Sequence, residues 1–281
     1  MNPREEAIPE QTDRVALAVT DADRVAGYFN AIFATEVVGD TRDDVAVARR
    51  LTLQWGRDQV ELFEPLGDGP VAQFLKQGRS GLFAGGFALA DPAGLASHVE
   101  ERGIKVHEQG PDRFLILPED CRGTGIILSR TEERARIGLS DSIWQITYAA
   151  PSLNDMREYY VDLLNMGDLY TSQYHSDLFG YEAGVTWFDA RDRAPLDSLE
   201  YLEPDEPKEA VARFVARNGS GIYMCAIQTD DIPQIRERVE AYGPGWTHAE
   251  IGGYIHPRRL GGLLLGLCYF DMYNSTRPLP D

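Results

Sequence analysis

The stretch "GLFAGGFALAD", residues 81–91, begins with glycine, continues as a short apolar run and ends at an aspartate. The same shape returns later in the chain as "GIYMCAIQTDD", residues 221–231. Apolar runs of this length with an acidic stop are typical of a buried strand that leads into a helix. The chain is therefore expected to contain the same structural unit at least twice.

Other segments repeat with a similar spacing. "ELFEP" at 61–65 returns as "EYLEP" at 200–204, and "VALAVTDADRVAGYFNAIF" at 15–33 matches "ITYAAPSLNDMREYYVDLL" at 146–164. The spacing between copies grows by about eight residues between these two matches, which places an insertion near 165–195. We predict a flexible arm at 1–12, domains at 13–130 and 142–275, and a charged connector at 129–142.

Each copy reads as two smaller units of one order, strand, helix and three strands. In the unit that starts at residue 85, "GGFALA" is a strand, and "DPAGLASHVEERG" is a helix with Asp91 as its cap and Pro92 in its first turn. Strand-like runs follow. The sequence thus predicts an α+β fold with four β-α-β-β-β modules.

Composition excludes several classes of protein. The 281 residues carry a formal charge of −18, which argues against nucleic acid and anionic lipid as partners. No apolar run is long enough to span a membrane, and the acidic start "MNPREEAIPEQTD" does not resemble a signal peptide. The three cysteines have no metal-binding spacing, which favours a reduced, cytoplasmic protein.

The chain resembles the vicinal oxygen chelate superfamily, which includes glyoxalase I, methylmalonyl-CoA epimerase, extradiol dioxygenases and bleomycin-resistance proteins. The resemblance covers residues 13–271 and rests on "VELFEP", "SGLFAGGFALADPAGLASHVEERGIKV" and "YIHPRRLGGLLLGL". It implies that paired modules form two half-open β-cups. It also implies that a divalent metal, where present, is held inside a cup by one residue from each of four strands.

The resemblance places these four positions on residues that make a poor donor set. They fall on Arg14, Glu61, Ala84 and Ile127 in the first cup and on Gln145, Glu200, Met224 and Gly266 in the second. A guanidinium has no lone pair to donate, and a thioether is a poor ligand for hard divalent ions. We therefore expect no metal and no other cofactor. An Arg14–Glu61 ion pair is expected to fill the first cup.

The second cup is the predicted functional site. Its tail is similar to the extradiol dioxygenase signature through His248, Tyr254 and Pro257, but Gly266 stands where that signature has a ligand glutamate. Glu200 is the candidate general base, because burial in an apolar cup raises the pKa of a carboxyl group. A structural pairing of Glu200 with Gln145 is the alternative. The predicted catalytic residues are Glu200, His248, Tyr254 and His256, and the predicted substrate-binding residues are Gln145, Met224, Trp187, Gly266 and Arg258.

Three classes of function remain open. The first is a metal-independent isomerase or lyase acting on a small aromatic or carbonyl compound. The second is a non-catalytic protein that binds or sequesters such a compound, and the third is a divergent metalloenzyme that recruits His248, His256 and Glu200. A small-molecule ligand is expected in each class, and a homodimer is a further expectation.

Overall fold

The computed structural model describes residues 7–79, 81–167, 169–177, 179–188, 196–205, 207, 209–249 and 252–269. Their strands form two eight-stranded sheets. The first contains β1 (Gln11–Ala18), β2 (Glu36–Asp43), β3 (Ala48–Trp55), β4 (Asp58–Pro65), β5 (Gly81–Leu89), β6 (His107–Glu108), β7 (Arg113–Ile116) and β8 (Gly125–Arg130). The second contains β9 (Ser142–Ala149), β10 (Thr171–Ser176), β11 (Tyr181–Trp187), β12 (Ser198–Pro204), β13 (Gly221–Gln228), β14 (Trp246–Ala249), β15 (Gly252–Ile255) and β16 (Leu265–Cys268).

Six α-helices connect these strands in the described residues. They are α1 (Ala22–Phe33), α2 (Pro70–Lys76), α3 (Pro92–Glu101), α4 (Leu153–Leu163), α5 (Ala210–Asn218) and α6 (Ile232–Ala241). Local capping explains where α1 and α3 begin, because the Asp21 and Asp91 side chains accept the backbone N–H groups of Arg24 and Gly94, each at 2.9 Å. The short helices α2 and α5 join the two modules of each domain and are additional to the predicted pattern.

The strand order is the same in both sheets. It runs β2-β3-β4-β1-β5-β8-β7-β6 in the first and β10-β11-β12-β9-β13-β16-β15-β14 in the second. In each sheet the first strands of two β-α-β-β-β modules pair antiparallel, β1 with β5 and β9 with β13. The predicted α+β fold of four modules paired into two curled sheets is confirmed. None of the described helices has the length and apolar character needed to cross a membrane.

The apolar core lies between the two domains as well as within them. One cluster joins Val15, Phe29 and Phe33 of the first domain to Ile146 and Tyr148 of the second. Smaller clusters lie inside the cups, one in the first domain and two in the second. The cups are therefore lined separately, while the shared core fixes one domain against the other.

Backbone contacts hold parts of two predicted segments, the arm and the connector. The arm predicted at 1–12 ends earlier, because the Glu10 N–H donates to Ala88 O at 2.9 Å and β1 begins at Gln11; residues 1–6 lie outside the described residues. The connector is held at its end, since Ile137 pairs with Gly56 and the Arg57 N–H donates to Asp141 O at 2.7 Å. Residues 270–275 of the predicted second domain also lie outside the described part of the chain.

A pair of buried carboxylates, Asp58 and Asp197, joins the domains reciprocally. Asp58 Oδ2 of the first domain accepts the N–H of Ile143 in β9 at 2.5 Å. Asp197 Oδ1 of the second domain accepts the N–H of Thr12 in β1 at 2.6 Å and the Thr12 hydroxyl at 2.8 Å. Each domain thus supplies the acceptor for the first strand of the other. Burial raises the pKa of both carboxyl groups, to about 7 for Asp197.

The raised pKa of Asp197 predicts how stability depends on pH. The folded protein keeps a proton that the unfolded chain, with a carboxyl pKa of 3.8, has already released, so the stabilisation is lost as the pH rises through about 7. Between pH 4 and 8 this group is expected to lower the free energy of unfolding by up to about 4 kcal/mol. Asp197→Asn should remove that part of the slope in urea unfolding measured across the pH range. Asp68→Asn at the surface should keep the wild-type slope, and an unchanged slope in Asp197→Asn would contradict the assignment.

Candidate active site in the C-terminal cup

Glu200 lies on the inner face of the second cup and is held by two hydroxyl groups. On β12 it pairs with Val185 of β11 and with Thr147 of β9. The Thr147 hydroxyl donates to Glu200 Oε2 at 2.7 Å, and the Tyr174 hydroxyl donates to Oε1. Only 6% of Glu200 is exposed, and no cationic side chain of the described residues forms an ion pair with it.

The environment of Glu200 favours a protonated carboxyl group. Burial raises its pKa above the ordinary glutamate value of 4.5, and the hydrogen bonds from Tyr174 and Thr147 offset only part of that rise. A buried carboxyl group with a raised pKa and no cation beside it suits proton transfer, because its carboxylate is a stronger base than that of an ordinary glutamate.

Aromatic rings form a wall at the mouth of this cup. The rings of Tyr174 and Tyr181 lie 6.3 Å apart, and Phe179 stacks on Tyr181 at 6.2 Å and meets the edge of Tyr254 at 6.1 Å. Tyr174 is 42% exposed and Phe179 is 39% exposed. These rings, two of them partly exposed and one bonded to the buried carboxyl group, suit a ligand with an aromatic or other flat apolar body.

The four family metal positions of this cup do not form a metal site. Gln145 Nε2 donates to Ser198 Oγ at 3.3 Å, and both oxygens of Glu200 are hydrogen bonded. A Cβ atom at Gly266 would lie 2.9 Å from Met224 Cε, so the Met224 methyl group fills the place where a fourth ligand side chain would project. One amide, one carboxylate and one thioether leave too few oxygen or nitrogen donors for a divalent ion.

The structure brings together some of the predicted site residues. Glu200, Met224 and Gly266 meet in the cup, and Tyr254 contributes from β15, where it pairs with Gly266. Gln145 is buried in the same cup but bonds to Ser198, so the predicted alternative of a Gln145–Glu200 pair does not form. Trp187 is buried with Trp144 and Val185 in one of the cup clusters, and its indole N–H donates to Ser172 Oγ at 3.0 Å.

The three remaining predicted residues lie elsewhere. His248 of β14 pairs with Gly253 of β15, so it points to the opposite face of the sheet from Tyr254, toward α6. His256 is exposed and lines a groove between the domains, and Arg258 is exposed on the turn that follows it. Strand alternation decides the position of His248, and the sequence does not determine the register of β14 and β15.

The first cup has a glutamate, Glu61, at the position equivalent to Glu200, but its pKa is shifted in the opposite direction. Glu61 accepts Arg14 Nη1 at 3.1 Å and Arg113 Nη2 at 2.7 Å, and Arg14 also binds Asp13 at 2.6 Å. Burial alone would raise the pKa of Glu61, but the charges of Arg113 and Arg14 outweigh it and hold the pKa below its ordinary value. The predicted ion pair in this cup is therefore present, and it is larger than predicted because Arg113 and Asp13 take part.

Sequence reasoning missed Thr147, Tyr174 and the ring wall. Thr147 could have been found, because it lies two residues beyond Gln145 on the same strand and therefore on the same face. Tyr174 gave no such signal, since it lies in the region near the insertion, where the two copies of the repeat no longer correspond in sequence.

Comparison with known proteins agrees with this architecture. Residues 144–258 match the model of the glyoxalase/bleomycin resistance protein/dioxygenase superfamily. No curated protein matches the chain. Residues 144–258 are therefore similar to this superfamily, and the whole chain has the tandem vicinal oxygen chelate fold that the sequence resemblance implied.

Solved structures extend the similarity to both domains. A triple mutant of 4-hydroxymandelate synthase from Streptomyces coelicolor is 14% identical, with a TM-score of 0.67 over 93% of this chain and 92% of that one. A xylose isomerase-like TIM barrel/4-hydroxyphenylpyruvate dioxygenase fusion protein is also 14% identical, with a TM-score of 0.60 over 85% of this chain and 39% of its own. Methylmalonyl-CoA epimerase from Mycobacterium tuberculosis is 19% identical over 47% of this chain and 89% of its own, with a TM-score of 0.39.

Proposed function

We propose that the C-terminal cup binds a small aromatic carbonyl compound and that Glu200 moves a proton on it without a metal, as an isomerase or lyase does. The observation that carries the proposal is a buried carboxyl group with a raised pKa and no counter-charge among the described residues, at the base of an aromatic wall. Buried carboxyl groups of this kind are suited to take a proton from a carbon next to a carbonyl group.

The chain's own residues suggest how such a transfer would proceed. The Glu200 carboxylate takes the α-proton, and Thr147 and Tyr174 hold its oxygens in place. Burial raises the pKa of Tyr254, so its hydroxyl stays protonated at neutral pH and can donate a hydrogen bond to a developing enolate oxygen. Glu200 then returns the proton to the same carbon or to a neighbouring one, which leaves the enzyme unchanged.

Binding without turnover is a second candidate function. Both oxygens of Glu200 are already hydrogen bonded in the structure, which would suit a fixed polar contact with a ligand as well as a base. Deuterium exchange separates the two. We expect the protein to exchange the α-protons of phenylpyruvate, phenylacetone or phenylacetaldehyde with deuterium in D₂O. Proton NMR in the presence of EDTA measures the loss of the α-proton signal. Binding of these compounds without exchange above the rate of Glu200→Gln would favour the second candidate.

Tyr174→Phe is predicted to move the pH dependence of that exchange. The active form of a general base is the carboxylate, so the rate should rise with pH through the raised pKa of Glu200. The Tyr174 hydroxyl bond lowers that pKa, so its removal should move the rising limb to higher pH. Tyr242→Phe, at an exposed tyrosine that follows α6 and meets the ring of Tyr28, should leave the rising part of the pH profile in place. If the rising part of the pH–rate profile stays in place or moves to lower pH in Tyr174→Phe, this hydrogen bond does not lower the pKa of Glu200.

Metal analysis tests the third class of function, a divergent metalloenzyme. The similarity of the fold to a dioxygenase fusion protein is the reason to test it. Because the cup positions supply too few donors, we expect no stoichiometric Fe, Mn, Zn or Ni after dialysis. One metal per chain that is lost in Glu200→Gln would overturn the metal-independent proposal. A metal lost instead in His175→Ala would belong to the exposed group of His175, Glu182 and Asp205, whose ligand atoms lie within 4.8 Å of one another.

A further inference from the structure

A cavity lies between the two domains. Its volume is about 470 Å³, and it is bordered by α2 and the start of β5 from the first domain and by α5, β13 and the turn after β15 from the second. Glu200, Thr147 and Tyr174 do not line it. Cavities of this size at domain junctions are common sites for small ligands.

Two arginines, Arg79 and Arg217, lie along this groove and bond across the domain boundary. Arg79 Nη2 donates to Ser220 O at 3.1 Å, and Arg217 Nη2 donates to Gly78 O at 2.8 Å. Each guanidinium uses one N–H on these carbonyl groups and has further donors. Because Arg217 binds the carbonyl of the residue just before Arg79, the two side chains border the same seam.

Neither arginine has a carboxylate partner among the described residues, and no described lining residue is Asp or Glu. In a chain with 45 acidic and 27 basic residues, that combination is unexpected. Burial lowers the pKa of Arg79, with no opposing charge to raise it. A guanidinium that is half-buried without a counter-ion is a natural partner for an anion.

Aromatic side chains supply the rest of the lining. Arg79 lies over the ring of Phe74, with Cζ 4.9 Å from the ring centroid, and the rings of Phe214 and Tyr223 meet edge to face at 5.2 Å. Leu82 and Ile222 add apolar surface. We propose that this groove binds a small aromatic carboxylate, with its carboxylate on Arg79 and Arg217 and its ring against Phe74, Phe214 and Tyr223.

Isothermal titration with 1-naphthoate tests this site directly. Wild-type protein should bind one equivalent, and the neutral isostere 1-naphthalenemethanol should bind at least about tenfold more weakly. The double variant Arg79→Gln/Arg217→Gln should lose at least about tenfold in affinity. Arg236→Gln on the surface of α6 changes the charge in the same way away from the groove and should bind as wild type does.

Two further variants keep the test independent of folding and of the proposed function. Arg79→Lys/Arg217→Lys retains both charges, so it should fold and bind with intermediate affinity, and circular dichroism checks each variant. Glu200→Gln should keep wild-type affinity for 1-naphthoate, because Glu200 is outside the groove. Wild-type affinity in the double glutamine variant, no binding to wild-type protein, or loss of binding in Glu200→Gln would each overturn the proposal.

Discussion

Glu200→Gln is expected to lower the rate of α-proton exchange by about 10²- to 10⁴-fold, the usual effect of losing a general base. Glutamine keeps the shape of the side chain and can still accept a hydrogen bond from Tyr174 or Thr147, but its amide oxygen is far too weak a base to take a proton from carbon. The effect should therefore appear in the rate at saturating substrate and only weakly in binding. Single-compound NMR time courses in D₂O at fixed enzyme concentration measure it.

Glu237→Gln is the matched control for this substitution. Glu237 lies on the exposed face of α6, on the outer side of the same domain, so the same change of charge there should leave exchange unaltered. Thr147→Val should have a smaller effect than Glu200→Gln, because it removes one hydrogen bond to the base and not the base itself. Exchange in Glu200→Gln at the wild-type rate would show that the carboxyl group is not the base.

The repeat and the fold could be predicted from sequence because they depend on pattern. Alternating apolar residues, helix caps at Asp21 and Asp91, and the recurrence of "ELFEP" as "EYLEP" are all local features that the fold uses directly. The same alignment placed Glu61 and Glu200 at equivalent positions. The family resemblance also placed Arg14 near Glu61. The two residues are diagonal neighbours on adjacent strands, because β1 pairs Arg14 with Gln59 and Ala16 with Glu61.

The contents of the second cup could not be predicted as well, because they depend on register and on the insertion. A shift of one residue in β14 or β15 would exchange the faces of His248 and Tyr254, and nothing in "THAEIGGYIHP" fixes that register. Tyr174 reaches Glu200 from β10, just beyond the point where the repeat is interrupted. The decisive partners of Glu200 therefore come from positions without a guide in the first domain.

Glu61→Gln should be as damaging to stability as Glu200→Gln is to activity. Glu61 is the buried acceptor for Arg14 and Arg113, so the amide would leave two guanidinium groups without a matching charge. Breaking a buried ion pair from one side typically costs about 3–5 kcal/mol. We expect a loss of that size in urea unfolding at pH 7. The difference in free energy of unfolding between wild type and Glu61→Gln should diminish as the pH falls through the lowered pKa of Glu61. Protonation of Glu61 then removes the negative charge that the glutamine also lacks.

Matched substitutions make this prediction specific to the ion pair. Glu64→Gln, on the same strand, breaks only a partly exposed contact with Arg49 at 3.5 Å and should cost less than about 1 kcal/mol. Glu200→Gln, at the equivalent position of the second cup, should leave stability unchanged or raise it, because ionised Glu200 is buried with hydroxyl partners but no cation. A loss in Glu61→Gln no larger than in Glu64→Gln would show that the first cup does not depend on its ion pairs. A large loss of stability in Glu200→Gln would show that the second glutamate is structural. Replacing the glutamate by glutamine would then destabilise each cup in the same way.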